Sequence, residues 1–321
     1  MAKPLWRRSA RKLATMIAKR ETSSREVIEA HLDRIMQVNP TINAMPTVIA
    51  DEALAAADRA DRAIARHKRV GPLHGVPFSI KANIDLVGSP TTNGVPLLAR
   101  AMPSLDAPIV ERMKAAGAIP IGRTNMPDMG LRLHTDSALY GLTRNPWNLE
   151  RTVGGSSGGE AAAIASGISP FGLGNDIGGS LRNPAFCCGV ASLKPTFGRI
   201  PHASSLEPNT PVLAAQLMLV EGPMARTVAD LHLGLGILAG AHPRDPFSFP
   251  APPLASRSKK PIRVALVPHP AGGTTAPSLR DSVRAAGAAL EASGYRVEEI
   301  SPPMLERAVE TWGRWLAWEL G

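Results

Sequence analysis

The sequence predicts an α/β protein with a central mixed β-sheet covered by helices on both faces. Two observations carry that expectation. Helical patterns alternate along the chain with short apolar runs bounded by glycine and proline, as strands buried between helices do. The 321 residues are 44% hydrophobic and only 20% charged, enough apolar material for a sizeable core. A single domain is expected over 1–321, with N-terminal helices over 1–70, a core over 71–240, a proline-rich connection over 243–261 and a βαβ-like unit with a C-terminal helix over 262–321.

The elements follow in order. Trp6, Ala10, Leu13 and Ile17 share one face of an amphipathic N-terminal helix with a basic face opposite. Ser23-Ser24-Arg25-Glu26 has the form of a capping box, and Val27, Ala30, Leu32 and Ile35 continue a helix that Pro40 is expected to stop. An alanine-rich helix from Asp51 to about His67 should pack on one face only. Gly71-Pro72 closes that stretch, and Val76 to Ile80 reads as a strand leading to Lys81. Asp106 is placed to cap a helix running through Ala116, and Ile119 to Ile121 forms the next strand in spite of Pro120. From Arg151 to Thr196 ten glycines interleave with eight serines or threonines, too many for an ordinary packed helix or strand, so the backbone there must approach something closely. Six prolines within 243–261 suggest an extended connection. A strand over Ile262–Val267, a helix over Leu279–Ala292 closed by Gly294, and a strand over Tyr295–Ile300 complete the pattern.

Composition excludes several classes of function. The net charge of +9 suggests nucleic acid until it is located: Lys3, Arg7, Arg8, Arg11, Lys12, Lys19 and Arg20 stand in the first twenty residues without one acid. The rest of the chain is nearly balanced, so no polyanion-binding face is expected. No apolar run approaches the roughly 18–20 residues of a membrane span, and a soluble, cytoplasmic protein with no membrane partner is expected. Cys187 and Cys188 are adjacent, which suits neither a disulfide framework nor a zinc site. The eight histidines are scattered without ligand spacing, so neither a metal nor another cofactor is expected.

Two glycine-serine loops dominate: GGSSGGEA at 154–161 and GNDIGGSLRNP at 174–184. The first contains G-x-S-x-G around Ser156, but a nucleophile elbow needs a buried strand running into it, and residues 144–152 are polar and broken by proline. Neither region completes a phosphate cradle: 154–161 lacks the Lys-Ser/Thr of a Walker loop, and in 172–179 Ile177 takes the third glycine position of G-x-G-x-x-G. What remains is serine activated by lysine. A serine hydroxyl attacks only when a base takes its proton, and lysine can do so only when neutral, with its pKa lowered from about 10.4 toward 7 by burial. On chemistry alone Lys81 and Lys194 are both candidates.

At this point the sequence resembles the amidase signature family. The segments GPLHGVPFSIKAN, DAPIVERMKAAGAIPIGRTNMPD, YGLTRNPWNLERTVGGSSGGEAAA and GLGNDIGGSLRNPAFCCGVASLKPTFGRIP are similar to family blocks and stand in the family's order, a likeness running from about Leu13 to Ile300. The resemblance implies a Ser-cisSer-Lys triad: Ser180 as nucleophile, Ser156 in a cis peptide as the bridge, and Lys81 as the base. It also implies an oxyanion hole from the N–H groups of Ile177, Gly178, Gly179 and Ser180. Asp176 and Arg182 are expected to hold the nucleophile's loop, and Ser157 and Glu160 to be loop and helix-start residues. Many members carry Asp where this chain has Ala82 and Thr where it has Asn175, and neither position is expected to touch the triad.

The function so implied is hydrolysis of a small carboxylic amide through an acyl-enzyme on Ser180. The alternatives are an amidotransferase component that makes ammonia for tRNA-linked amidation with partner chains, and an inactive, truncated paralogue. Members of the family run beyond the point matching Gly321, so a missing C-terminal portion is expected. Leu305, Val309, Trp312, Leu316 and Leu320 fall on one helical stripe. Left uncovered, that stripe should drive self-association or leave the chain incompletely folded, with weak or no activity.

Overall fold

The computed structural model describes residues 3–206, 212–252, 262–270 and 273–320. Where the sequence reading groups 1–321 as a single domain, contacts group the chain into two compact units. One is Met1–Pro211 with Leu217–Ala251, and the other is Val212–Gln216 with Pro252–Gly321.

In chain order the first unit carries α1 (Ala10–Ala18), α2 (Ser24–Ile42), β1 (Thr47–Val48), α3 (Ala50–Ala65), β2 (Pro77–Lys81), α4 (Pro108–Ala115), β3 (Ile119–Thr124), β4 (Asp136–Ser137) and β5 (Gly141–Leu142). It continues with α5 (Gly158–Ser166), β6 (Phe171–Asp176), α6 (Arg182–Cys188), β7 (Ala191–Ser192), then, after α7 (Leu213–Met218), which has residues in both units, β8 (Val220–Ala225) and α8 (Val228–Leu238). Six strands form one sheet in the order β1-β3-β2-β6-β8-β7. β2 runs parallel to β3 and β6, while β1, β7 and β8 pair antiparallel with their neighbours, so the sheet is mixed as expected.

Alternate side chains of a strand point to opposite faces. Phe78, Ile80, Phe171 and Leu173 join α1, α4 and α8 through Leu13, Ile17, Ile109, Met113, Leu231 and Leu238 in one core cluster. Ile121 and Met224 join α2, α3, α5 and α6 through Ile28, Ile35, Ala53, Ala57, Ile164 and Ala185 in the other. The sheet is therefore covered on both faces, and truncating one of these fully buried aliphatic side chains would cost about 2–5 kcal/mol. Ser79 and Lys81 alternate with Phe78 and Ile80, which puts them on the opposite side of β2.

Local sequence explains most boundaries and corrects some. The capping box at α2 forms, with Ser23 Oγ accepting from the Glu26 N–H and the Glu26 carboxylate accepting from the Ser23 N–H. Pro40 does not stop this helix, which runs on to Ile42 and ends at Asn43 in the left-handed region. The bond that Pro40 cannot give would go to the Met36 carbonyl, and Met36 is 68% exposed, so water can serve instead. Asp106 does not cap α4: the N-cap is Ala107 with Pro108 at the first turn, and the Asp106 carboxylate instead accepts from Val87 N–H and Lys114 Nζ. Pro120 sits inside β3 opposite Phe78, where the β2–β3 register shifts.

The glycine-rich stretch 151–196 contains α5, β6 and α6, contrary to the expectation that it holds no ordinary packed element. Its glycines mark close approach. A Cβ on Gly159, inside α5, would fall 2.5 Å from the Asn125 backbone nitrogen at the end of β3, so only glycine lets the helix lie this close to the sheet. Of the expected extended connection, residues 253–261 lie outside the described ones. The part before them instead folds into turns, with Phe249 N–H on the Gly198 carbonyl and Ser248 Oγ accepting from His242 N–H.

The second unit carries β9 (Arg263–Leu266) parallel to β10 (Arg296–Glu299), with α9 (Pro277–Ala292) and α10 (Leu305–Leu320). On α10, Val309 is 50% exposed and Trp318 82% exposed, while Leu305, Trp312 and Leu316 are half-buried.

Candidate active site

Three segments converge at one end of the first unit's sheet: the end of β2, the loop entering α5, and the loop between β6 and α6. Lys81 is the last residue of β2 and has no exposed surface. Its Nζ donates to Ser156 Oγ at 2.7 Å and to Asn175 Oδ1 at 2.7 Å. The Gly155–Ser156 peptide bond is cis. The two glycine loops are knitted together: Ser157 N–H donates to the Ser180 carbonyl at 3.2 Å, Ser157 Oγ donates to the Asn175 carbonyl, and Gly155 N–H donates to Asn183 Oδ1 at 3.0 Å. Ser156 and Ser180 are 3% and 6% exposed, while Gly178 between them in the loop reaches solvent.

Burial brings the neutral form of this lysine within reach near pH 7. Burial pushes Lys81 down to about 7 from its ordinary 10.5, against the carboxylates of Glu221, Asp176 and Glu160, which pull it upward. Lys194, the rival candidate, donates to the Pro195 carbonyl and makes no hydrogen bond to either serine. Asp176 is held by Arg182 through Nε at 3.0 Å and Nη2 at 2.9 Å, and it accepts from the N–H groups of Gly179 and Leu181. Burial works against the Asp176 charge, yet these four donors hold its pKa below the ordinary carboxylate value.

This commitment alters the expected oxyanion hole. The Gly179 N–H points at Asp176 Oδ1, 2.7 Å away, and is occupied. The N–H groups of Ile177, Gly178 and Ser180 have no acceptor among the described residues.

A family model for amidases matches residues 26–321. The chain belongs to the amidase family. The chain is 45% identical to indoleacetamide hydrolase of Bradyrhizobium diazoefficiens over 309 residues, 96% of this chain and 59% of the relative. It is 37% identical to a glutamyl-tRNA(Gln) amidotransferase subunit of Thermosynechococcus vestitus over 94% of this chain and 62% of that one. Among solved structures, a bacterial aryl acylamidase of the amidase signature family superposes with a TM-score of 0.85 at 29% identity, covering 97% of this chain and 65% of that one. The 6-aminohexanoate cyclic dimer hydrolase complexed with substrate superposes with a TM-score of 0.83 at 33% identity, covering 95% and 62%. The chain thus spans about six-tenths of the length of these relatives.

Sequence reasoning missed part of the site. Asn175, expected not to touch the triad, accepts from Lys81 Nζ and exchanges hydrogen bonds with Asn83 through its Nδ2 at 3.1 Å and its Oδ1 at 3.3 Å. Glu160, expected only to start a helix, is fully buried and accepts from Ser79 Oγ and from Thr124 Oγ1 at 2.7 Å. Burial pushes Glu160 up to about 7, opposed by those hydroxyls and by Lys81 and Arg123. A signal was present in β2, where Ser79 and Lys81 alternate with Phe78 and Ile80 and mark a polar face inside a fully buried strand. His134 Nδ1 lies 2.9 Å from Thr152 Oγ1. Among the described residues no group of three or more His, Cys, Asp or Glu side chains is placed to hold a metal ion, and no helix is long and apolar enough to cross a membrane.

Proposed function

We propose that this protein hydrolyses a carboxylic amide to the acid and ammonia or an amine through an acyl-enzyme on Ser180. The observation that carries the reading is the buried Lys81 Nζ, 2.7 Å from Ser156 Oγ in a setting that brings its neutral form within reach near pH 7. In the acylation step neutral Lys81 takes the Ser156 proton while Ser156 takes the Ser180 proton. Ser180 Oγ then bonds the amide carbon, and the carbonyl oxygen gains the charge. The free N–H groups of Ile177, Gly178 and Ser180 are the donors available to that oxyanion, each worth about 2.7–4 kcal/mol where such a donor is preorganised. Return of the proton through Ser156 to the leaving nitrogen breaks the C–N bond. Water then attacks the ester by the same relay, releasing the acid and restoring Ser180.

The acyl group is proposed to be apolar and aromatic. Met129, Leu131 and Leu133 are each more than half exposed in the segment around Gly130, where a Cβ would lie 3.4 Å from Ser156 Oγ. The 45% identity to a relative named indoleacetamide hydrolase supports the same choice. A second reading rests on the likeness to the glutamyl-tRNA(Gln) amidotransferase chain: release of ammonia from glutamine together with partner chains. Ammonia release from indoleacetamide, phenylacetamide, glutamine and short aliphatic amides separates the two. Aromatic acetamide turnover by the chain alone supports the first, and turnover of glutamine only in the presence of partner chains supports the second. A soluble, cytoplasmic setting remains part of this proposal, as does self-association through the α10 stripe.

A further inference from the structure

β8 runs antiparallel to β6 with Glu221 directly opposite Asn175. Directly opposed residues of such a pair present their side chains on the same face. The Glu221 carboxylate therefore stands beside the amide whose Oδ1 accepts from Lys81 Nζ. Glu221 is 3% exposed; its Oε1 lies 2.7 Å from His202 Nδ1, and its Oε2 is buried with no hydrogen-bond partner among the described residues. A buried carboxylate oxygen without a donor is costly, and such a group calls for an electrostatic explanation.

The neighbours narrow that explanation. Lys81 faces Glu221 from β8, Asp176 from the end of β6 and Glu160 from α5, and Arg123 of β3 donates to the Lys81 carbonyl. Asp176 is neutralised by Arg182, and Glu160 is bonded to Ser79 and Thr124. Among the described residues the Glu221 carboxylate has His202 as its one hydrogen-bond partner, and the His202 side chain is 35% exposed while its backbone N–H donates to Asp245 Oδ2. We infer that Glu221 and His202 are a positioning pair for Lys81, the carboxylate holding the lysine's proton and the protonated imidazole releasing it. Of the three carboxylates raising the proton affinity of Lys81, Glu221 acts most strongly. Burial disfavours a charged His202, but Glu221, with Asp245 and Asp85 behind it, holds its pKa above the ordinary value. A proton on His202 cancels the charge that Lys81 feels, and its loss restores that charge.

The inference rests on Lys81 as the base, so its test reads the lysine directly. In protein carrying lysine labelled with carbon-13 at Cε, the resonance missing from Lys81→Met is followed against pH by NMR. His202→Asn should raise the Lys81 midpoint by about half a pH unit or more, and adding Glu221→Gln to His202→Asn should lower it again by a similar amount. The half-exposed His202 site keeps the test informative if the double variant folds poorly. A midpoint that stays unchanged at either step, or moves in the same direction in both steps, overturns the inference. Absence of amide hydrolysis with the opposed shifts intact would instead count against the proposed function alone.

Discussion

Lys81 Nζ is shared between two acceptors at the same distance, Ser156 Oγ and Asn175 Oδ1, each 2.7 Å away. The serine belongs to the loop before α5 and the asparagine to the end of β6, so one buried amine ties both glycine loops to β2. An amine so placed has a lone pair to receive a proton only when it is neutral.

Neutrality sets the pH dependence. With Lys81 at about 7, the active form is the unprotonated one, so kcat/KM should rise through about pH 7 and level off above it. Lys81→Met should lower kcat by about 10²–10⁴-fold or more. It should also stabilise the fold below pH 7, because a native pKa below the unfolded one costs stability wherever the unfolded lysine holds a proton that the native one must shed or bury. Initial rates from pH 5.5 to 9, with urea unfolding of both proteins at pH 6, check both statements.

Glu160 titrates in the opposite sense. Its native value of about 7 lies above the unfolded 4.5, so its contribution is fully present below pH 4.5 and is lost as the pH rises through about 7. Glu160→Gln keeps an acceptor for a neighbouring hydroxyl without the charge. Relative to this variant the parent should lose stability between pH 4.5 and 7, by as much as about 3 kcal/mol. Parallel urea titrations across that window measure the difference, and equal pH slopes would contradict the assignment.

The Asp176–Arg182 pair predicts an asymmetry between its partners. Asp176 is buried and accepts from two backbone N–H groups as well as from Arg182, so Asp176→Ala should cost about 2–4 kcal/mol and most of the activity. Arg182 is 56% exposed, and Arg182→Ala should cost no more than about 1 kcal/mol. Thermal unfolding of both variants beside the parent checks the ranking.

Close approach makes a purely steric prediction. At Gly159 an added methyl meets the Asn125 backbone, which has no side-chain end to move aside. Gly159→Ala should destabilise by about 1–3 kcal/mol in spite of alanine's better helix propensity, whereas Gly236→Ala in α8, where nothing lies within 4 Å, should be neutral or stabilising.

These particulars show which parts of the molecule could be read from residues alone. The capping box at Ser23–Glu26 and the alanine face of α3 were legible because each is a local pattern with one local consequence. Lys81, Ser156 and Ser180 are proposed as the reacting residues on blocks in a fixed order that resemble a family, while chemistry by itself left Lys194 equally eligible. Asn175 and Glu221 were not legible: they reach the site through the β2–β6–β8 pairing, and strand order is a long-range outcome that no short window encodes. Pro40 and Asp106 misled because exposure of the Met36 carbonyl's turn and the tertiary partners Val87 and Lys114 overrode local rules.

The measurement closest to the central claim is peptide mapping of the chain after reaction with a fluorophosphonate probe, performed on the parent and on Lys81→Met across pH 6–9. The account predicts a single adduct on Ser180, formed faster as the pH rises through about 7 in the parent and nearly abolished in Lys81→Met. An adduct on Ser156, or labelling of Ser180 at an undiminished rate without Lys81, would contradict it.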